Sequence, residues 1–168
     1  MKRFILTLTL ILGVAFAASA QNYAVVNSEK IFKSIAKYNE AITELDKLAN
    51  DYQTKVDAKF EEVEKLYNTY MQRRSQLSAA SQAANEENIL KLEQEATEYQ
   101  ESIFGTEGTL MQKRLELIQP IQKEVFAAIE KYAKQKGYDM IIDISQNATM
   151  LYYSERADQT DAIIEMLK

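Results

Sequence analysis

Residues 75–88 read SQLSAASQAANEEN, and whether the chain turns there decides the fold. On either side the apolar residues are regular. Ile35, Tyr38, Ile42, Leu45, Ala49, Tyr52 and Val56 step by three and four, as the buried positions of heptads do. Phe60, Val63, Tyr67 and Tyr70 resume after a four-four step at Val56, a stutter that locally relaxes a supercoil. Beyond the interruption run Ile89, Leu92, Ala96, Tyr99 and Ile103, then Met111, Leu115 and Ile118, then Val125, Ile129 and Tyr132. From Ser28 to Lys136 the only breakers are Gly105, Gly108 and Pro120. Unbroken, such a helix would run about 165 Å and strand the chain ends far apart. A turn within the small, polar stretch gives two arms of about 60–70 Å and brings the ends together. Asn85, followed by Glu86 and Glu87, offers a cap and acids for the first turn of a returning helix. Residues 37–136 are therefore expected to form a long antiparallel coiled-coil hairpin with its tip near 75–88.

The two ends complement each other. NYAVVN (22–27) has the composition of a strand, as do YDMIIDIS (138–145) and TMLYYS (149–154), with SQNA (145–148) as the turn between the latter two. Gly137 is placed to close the long helical region as a C′ residue, with Lys134 and Lys136 near the negative pole. DQTDAIIEMLK (158–168) reads as a short final helix starting near Asp158 or Thr160, with Ile163, Ile164 and Leu167 on one face. Ala24, Val25, Val26, Ile141, Ile142, Leu151 and Tyr152 are the expected strand residues of a body built from 21–36 and 137–168. The fold class is α+β, the hairpin projecting from a small β body. A core of about 50–60 residues is marginal by itself, and free strand edges invite pairing with other copies, so an oligomer is expected.

The first twenty residues, MKRFILTLTLILGVAFAASA, combine a basic start, a short apolar run and Ala18-Ser19-Ala20, the pattern of a secretory signal. Cleavage after Ala20 would leave a periplasmic chain starting at Gln21. No Cys stands at the junction for lipid attachment, and no Cys or His occurs anywhere. Thiol chemistry and histidine acid–base or metal chemistry are thereby excluded. The three glycines after the signal cannot form a phosphate-binding loop, so no nucleotide cofactor is expected, and no metal. The full chain has 20 basic and 25 acidic residues. Removal of Lys2 and Arg3 leaves 18 against 25, a net charge of −7 with no basic stripe, which disfavours nucleic acid as a partner.

In order along the chain stand YAVVN leading into SEKIF, a long helical hairpin, GYDMIID, a further expected strand with Tyr152, DQT opening a last helix, and MLK at its end. This order resembles the Skp/OmpH family of periplasmic chaperones across the whole chain after the signal, most specifically over 24–32 and 137–168. The resemblance implies a homotrimer with a shared β-barrel body. It also implies hairpin arms that hold unfolded outer-membrane proteins without ATP, and no enzymatic activity. The chain departs from the family's basic character: after Lys91 it carries Glu93, Glu95, Glu98, Glu101 and Glu107 before Lys113. Charge-driven contact with membrane lipid or lipopolysaccharide is accordingly disfavoured. The rival reading is a periplasmic structural or adaptor coiled coil docking another helical partner, which would need larger flanking β-domains.

Client binding by arms wants large amphipathic side chains offering many weak contacts. Tyr38, Tyr70, Tyr99 and Phe104 are the candidates, while Tyr52 and Tyr67 fall in the periodic seam and are expected to hold the arms together. Gly105 and Gly108, inside FGTEGTLMQ (104–112), each cost about 1 kcal/mol in a helix. They are read either as a hinge or as positions of close packing against the partner arm. Pro120 removes a backbone donor and is expected to kink the second arm. Asp139 and Asp143, four apart on an expected strand, are read as bonding turn or helix amides at strand ends rather than as a catalytic pair.

Overall fold

A computed structural model describes residues 22–146 and 149–168. The expected signal segment, and Asn147 and Ala148 of the expected SQNA turn, lie outside the described residues. In chain order the elements are β1 (Tyr23–Val26), α1 (Ser28–Lys33), α2 (Ala36–Arg73), a 3₁₀ turn (Arg74–Gln76), α3 (Ala79–Phe104), α4 (Thr109–Lys136), β2 (Met140–Asp143), a second 3₁₀ turn (Glu155–Ala157) and α5 (Thr160–Met166). The class is α+β: a long helical hairpin and a small two-stranded β part. The chain divides into two compact units, Ala36–Gln122 on one side, and the described residues before Ala36 with Lys123–Lys168 on the other.

In the hairpin unit α2 and α3 pack side by side. Cross-arm contacts pair Tyr70 with Glu86, Lys59 with Tyr99 and Glu44 with Lys113. These step down one arm as they climb the other, so the arms are antiparallel. Leu45, Val56 and Tyr70 of α2 and Ile89, Ala96 and Ile103 of α3 are buried, as the heptad spacing requires. The returning helix starts earlier than Asn85. Ser78 is its N-cap, its hydroxyl accepting from the Ser81 N–H at 3.2 Å. The Gln82 amide donates to the Arg74 and Leu77 carbonyls at 3.0 and 3.1 Å. Those two bonds tie the first turn of α3 to the 3₁₀ turn and its C-cap, so the turn is tight at Arg74–Ser78 without Gly or Pro.

The glycine pair is a break, not the interior of a helix. Gly105 ends α3 with φ −62° and ψ 169°, its N–H still donating to Glu101 O. Gly108 N–H donates to Gly105 O at 2.9 Å, and Gln112 N–H to Gly108 O at 3.1 Å, restarting the helix as α4. A Cβ on Gly105 would lie 2.5 Å from Glu101 O, and one on Gly108 2.5 Å from Ile103 O. The glycines thus answer to the chain's own backbone, not to the partner arm as one sequence reading held. The cross-arm register is kept on both sides of the break. The interruption also corrects the third apolar series: Met111 and Leu115 are exposed, and the buried row of α4 begins at Ile118. α4 runs on through Pro120.

In the β unit, β1 and β2 are parallel, with Tyr23 opposite Met140, Val25 opposite Ile142 and Val26 opposite Asp143. The other edge of β1 is met by Asp158, and Gln159 N–H donates to Val25 O at 2.9 Å. That places β1 centrally and explains why Ala24, Val25 and Val26 are all buried. Val26, Ile31, Val125, Tyr132 and Ile163 form the core, and fully burying such an aliphatic side chain is worth about 1.5–3 kcal/mol. Because Val125 and Tyr132 belong to it, the last turns of α4 fall in this unit and not, as the sequence reading had it, in the arm. Gly137 has φ 70°, and Tyr138 N–H donates back to Ala133 O at 3.0 Å. This is the Schellman closure that a left-handed residue permits.

The third expected strand is not formed. Leu151 and Tyr152, read as strand residues, lie outside both strands and are 95% and 82% exposed. Of the two sheet edges, that of β1 is taken by Asp158 and Gln159, and 149–154 does not pair with that of β2.

Candidate functional site

The expected site residues do not converge on one centre. The arms carry two apolar patches, and the β unit carries an exposed apolar edge.

At the hairpin tip Tyr70 is a lock rather than a contact surface. It is 5% exposed, its hydroxyl donates to the Glu86 carboxylate, and the Arg74 guanidinium lies over its ring at 6.0 Å. Arg74 also pairs with Glu86 at 3.6 Å. The bond to Glu86, and secondarily burial, raises the phenol above its ordinary pKa, since a hydroxyl donating to a carboxylate resists losing its proton. Tyr70, expected to contact clients, is thus enclosed: what the tip exposes is Tyr67, Met71 and Leu90, the last 65% accessible. They border a cleft of about 430 Å³ over Ile89. Met71 and Leu90 are apolar residues off the heptad seam, which was the signal in the sequence that could have found them. Tyr67, expected in the seam, is exposed.

The second patch lies at the glycine break. Where the helix stops, Leu45 and Ala49 of α2 floor a pocket of about 350 Å³ that Phe104, Leu110 and Met111 wall. Phe104, one of the expected residues, is 37% exposed. Asp46 and Arg114 stand at its rim. Of the remaining expected contacts, Tyr38 and Tyr99 are half-buried along the arms, and the Lys59 ammonium sits over the Tyr99 ring at 5.2 Å.

In the β unit Tyr23, Phe126, Met140, Leu151 and Tyr152 are exposed, while Ile141 and Ile142 of β2 are half-buried. Among the described residues β2 has one strand neighbour, leaving its outer edge open. Asp139 and Asp143, the aspartates flanking and ending β2, are both occupied. Asp139 accepts from Asn22 N–H at 3.1 Å. Asp143 accepts from the Ser28 N–H at 3.1 Å and hydroxyl at 2.5 Å, at the start of α1, and from Ser145 N–H at 3.0 Å. Partial burial opposes its charge, but the bonds from Ser28 and Ser145 outweigh it and hold the carboxyl below its ordinary pKa. Sequence reading missed Thr160, whose hydroxyl accepts from Asn27 N–H at 2.9 Å while donating to Asp158. It also missed Tyr132, whose hydroxyl donates to Gln159. No group of three or more acidic, His or Cys side chains suited to a metal gathers among the described residues.

A protein of Aquifex aeolicus (strain VF5), described only as an uncharacterized protein, is 26% identical over 167 residues, covering 99% of this chain and 96% of its own. The family described as Outer membrane protein (OmpH-like) matches residues 22–167. That span takes in both strands, the hairpin and the final helix, and the chain belongs to the OmpH-like family.

Proposed function

We propose that the protein is an ATP-independent periplasmic holdase that keeps unfolded outer-membrane proteins soluble until they reach the outer membrane. Family membership suggests a periplasmic, chaperone-like role. The observation that supports the finer reading most is the dispersal of exposed apolar side chains along both arms: Tyr67 and Met71 on α2, Leu90 on α3, Phe104 at the break, Met111 and Leu115 on α4. Each such side chain, covered by a client, contributes at most about 1.5–3 kcal/mol. No one contact traps the client, and several together hold it. Release then needs only exchange of weak contacts and a folding sink, not nucleotide hydrolysis.

Self-association belongs to the same reading. The open edge of β2 and the exposed Leu151 and Tyr152 suit pairing with further copies, which would shield an edge otherwise prone to aggregate. The copies form a homotrimer with a shared β body, and clients sit between the arms.

The test uses Gln21–Lys168, its mass measured in solution, with a urea-unfolded β-barrel protein diluted into it without nucleotide. A trimer that suppresses light scattering supports the proposal. A monomer that leaves the client to aggregate, yet binds one folded helical partner, supports the adaptor reading instead.

A further inference from the structure

We infer that the pocket at the glycine break selects segments of unfolded polypeptide in which an aromatic or large aliphatic side chain is flanked by Lys or Arg. The inference rests on the holdase reading and names the client chemistry that one part of the arm prefers.

Two adjoining features carry it. The first is the apolar pocket of about 350 Å³ walled by Phe104, Leu110 and Met111, large enough for one aromatic side chain. The second is a shallower concavity that shares Gly105 and Thr106 with it and is edged by Glu98, Glu101 and Glu107. None of these three carboxylates is in an ion pair among the described residues. Glu98 accepts only from the neutral Gln94 amide, at 2.7 Å. Counting both rims, the acids Asp46, Glu98, Glu101 and Glu107 face a single base, Arg114.

An occupant must therefore bring an apolar group for the pocket and positive charge for the rim. Burying the apolar side chain is worth about ten- to a hundredfold in affinity. Each exposed charge pair adds about two- to fivefold. The apolar term sets binding and the charge term sets preference. A segment with Asp or Glu beside its aromatic residue meets repulsion on the rim instead.

The protein has no Trp, so a peptide Trp is a clean reporter. Two unstructured peptides are titrated into the intact oligomer of Gln21–Lys168, identical except that the single Trp is flanked by Lys in one and Glu in the other. The Lys-flanked peptide is expected to bind about tenfold more tightly at low salt, as two or more exposed pairs imply, with a blue-shifted Trp. The gap should close near 1 M salt, where the screening length is about 3 Å. Joint replacement of Glu98, Glu101 and Glu107 by Gln should remove the preference and leave the blue shift. Met111→Asp should remove the blue shift. All four positions are exposed, and a thermal melt checks that each variant is folded. Equal binding of both peptides, or a preference surviving the triple replacement, overturns the inference while the holdase reading stands, provided the protein still suppresses client aggregation. Failure to suppress aggregation overturns that reading and the inference with it.

Discussion

Replacing Thr160 by Val tests how the first strand and the last helix are joined. The side chain is 2% exposed, and its hydroxyl accepts from Asn27 N–H at 2.9 Å while donating to Asp158. Val keeps the shape and removes both bonds. Asp158 still accepts from the Thr160 backbone N–H at 2.9 Å, so the group left without a partner is the part-buried Asn27 N–H. Orphaning a buried donor costs about 1–3 kcal/mol. Thr160→Ser keeps the hydroxyl and loses one methyl, a cost of about 0.8 kcal/mol. The order of stability should be wild type, then Ser, then Val, although Val is the more apolar. With a urea dependence of about 1–3 kcal/mol per molar, the Val midpoint should fall by roughly 1 M. Urea unfolding followed by circular dichroism, at one fixed protein concentration because self-association makes stability concentration-dependent, reads the order directly. A Val variant at least as stable as the Ser variant would refute the assignment of the Thr160 hydroxyl as the partner of Asn27.

Gly137→Ala should cost about 1–2 kcal/mol, since φ is 70° and left-handed backbone penalises any Cβ; a thermal melt checks it. Gly105→Ala and Gly108→Ala should instead act by collision, because either Cβ would lie 2.5 Å from a backbone oxygen; hydrogen exchange should rise at 103–112, and unchanged protection there would contradict the break. Asp143 titrates below its ordinary value, so its contribution is complete above the unfolded carboxylate pKa of about 3.9 and is lost as pH falls through the lower folded pKa. Urea midpoints taken from pH 5 to 2 should therefore drop less steeply in Asp143→Asn than in wild type. Leu90→Ser, at a side chain 65% exposed, should shift stability by no more than about 0.5 kcal/mol yet weaken suppression of client aggregation.

The hairpin was legible because two independent features agreed: heptad spacing along both arms, and strand-forming ends that must meet. The exact start of the returning helix was not. Ser78 and Asn85 are both good caps, and the Gln82 bonds that favour Ser78 depend on where Arg74 and Leu77 lie in space. The glycine pair showed a local weakness but not its form, because a single Gly is tolerated inside a helix whereas the turn from Gly105 to Gly108 ends one. TMLYYS misled because strand propensity does not by itself supply a pairing: the segment leaves the open edge of β2 unpaired. Tyr70 misled in the opposite direction: nothing in its heptad position announces that Arg74 and Glu86 enclose it. Asp143 does bond a helix and a turn amide as expected, at Ser28 and Ser145, whereas Asp139 instead accepts from Asn22 N–H ahead of β1.

The most direct test of capture by the arms places a photo-crosslinking amino acid at Leu90 or at Leu115, two exposed positions on opposite sides of the glycine break. Illumination with an unfolded β-barrel protein should give adducts from both positions, and illumination with the same protein already folded should give none. A client that stays soluble yet forms no adduct from either position would contradict the account.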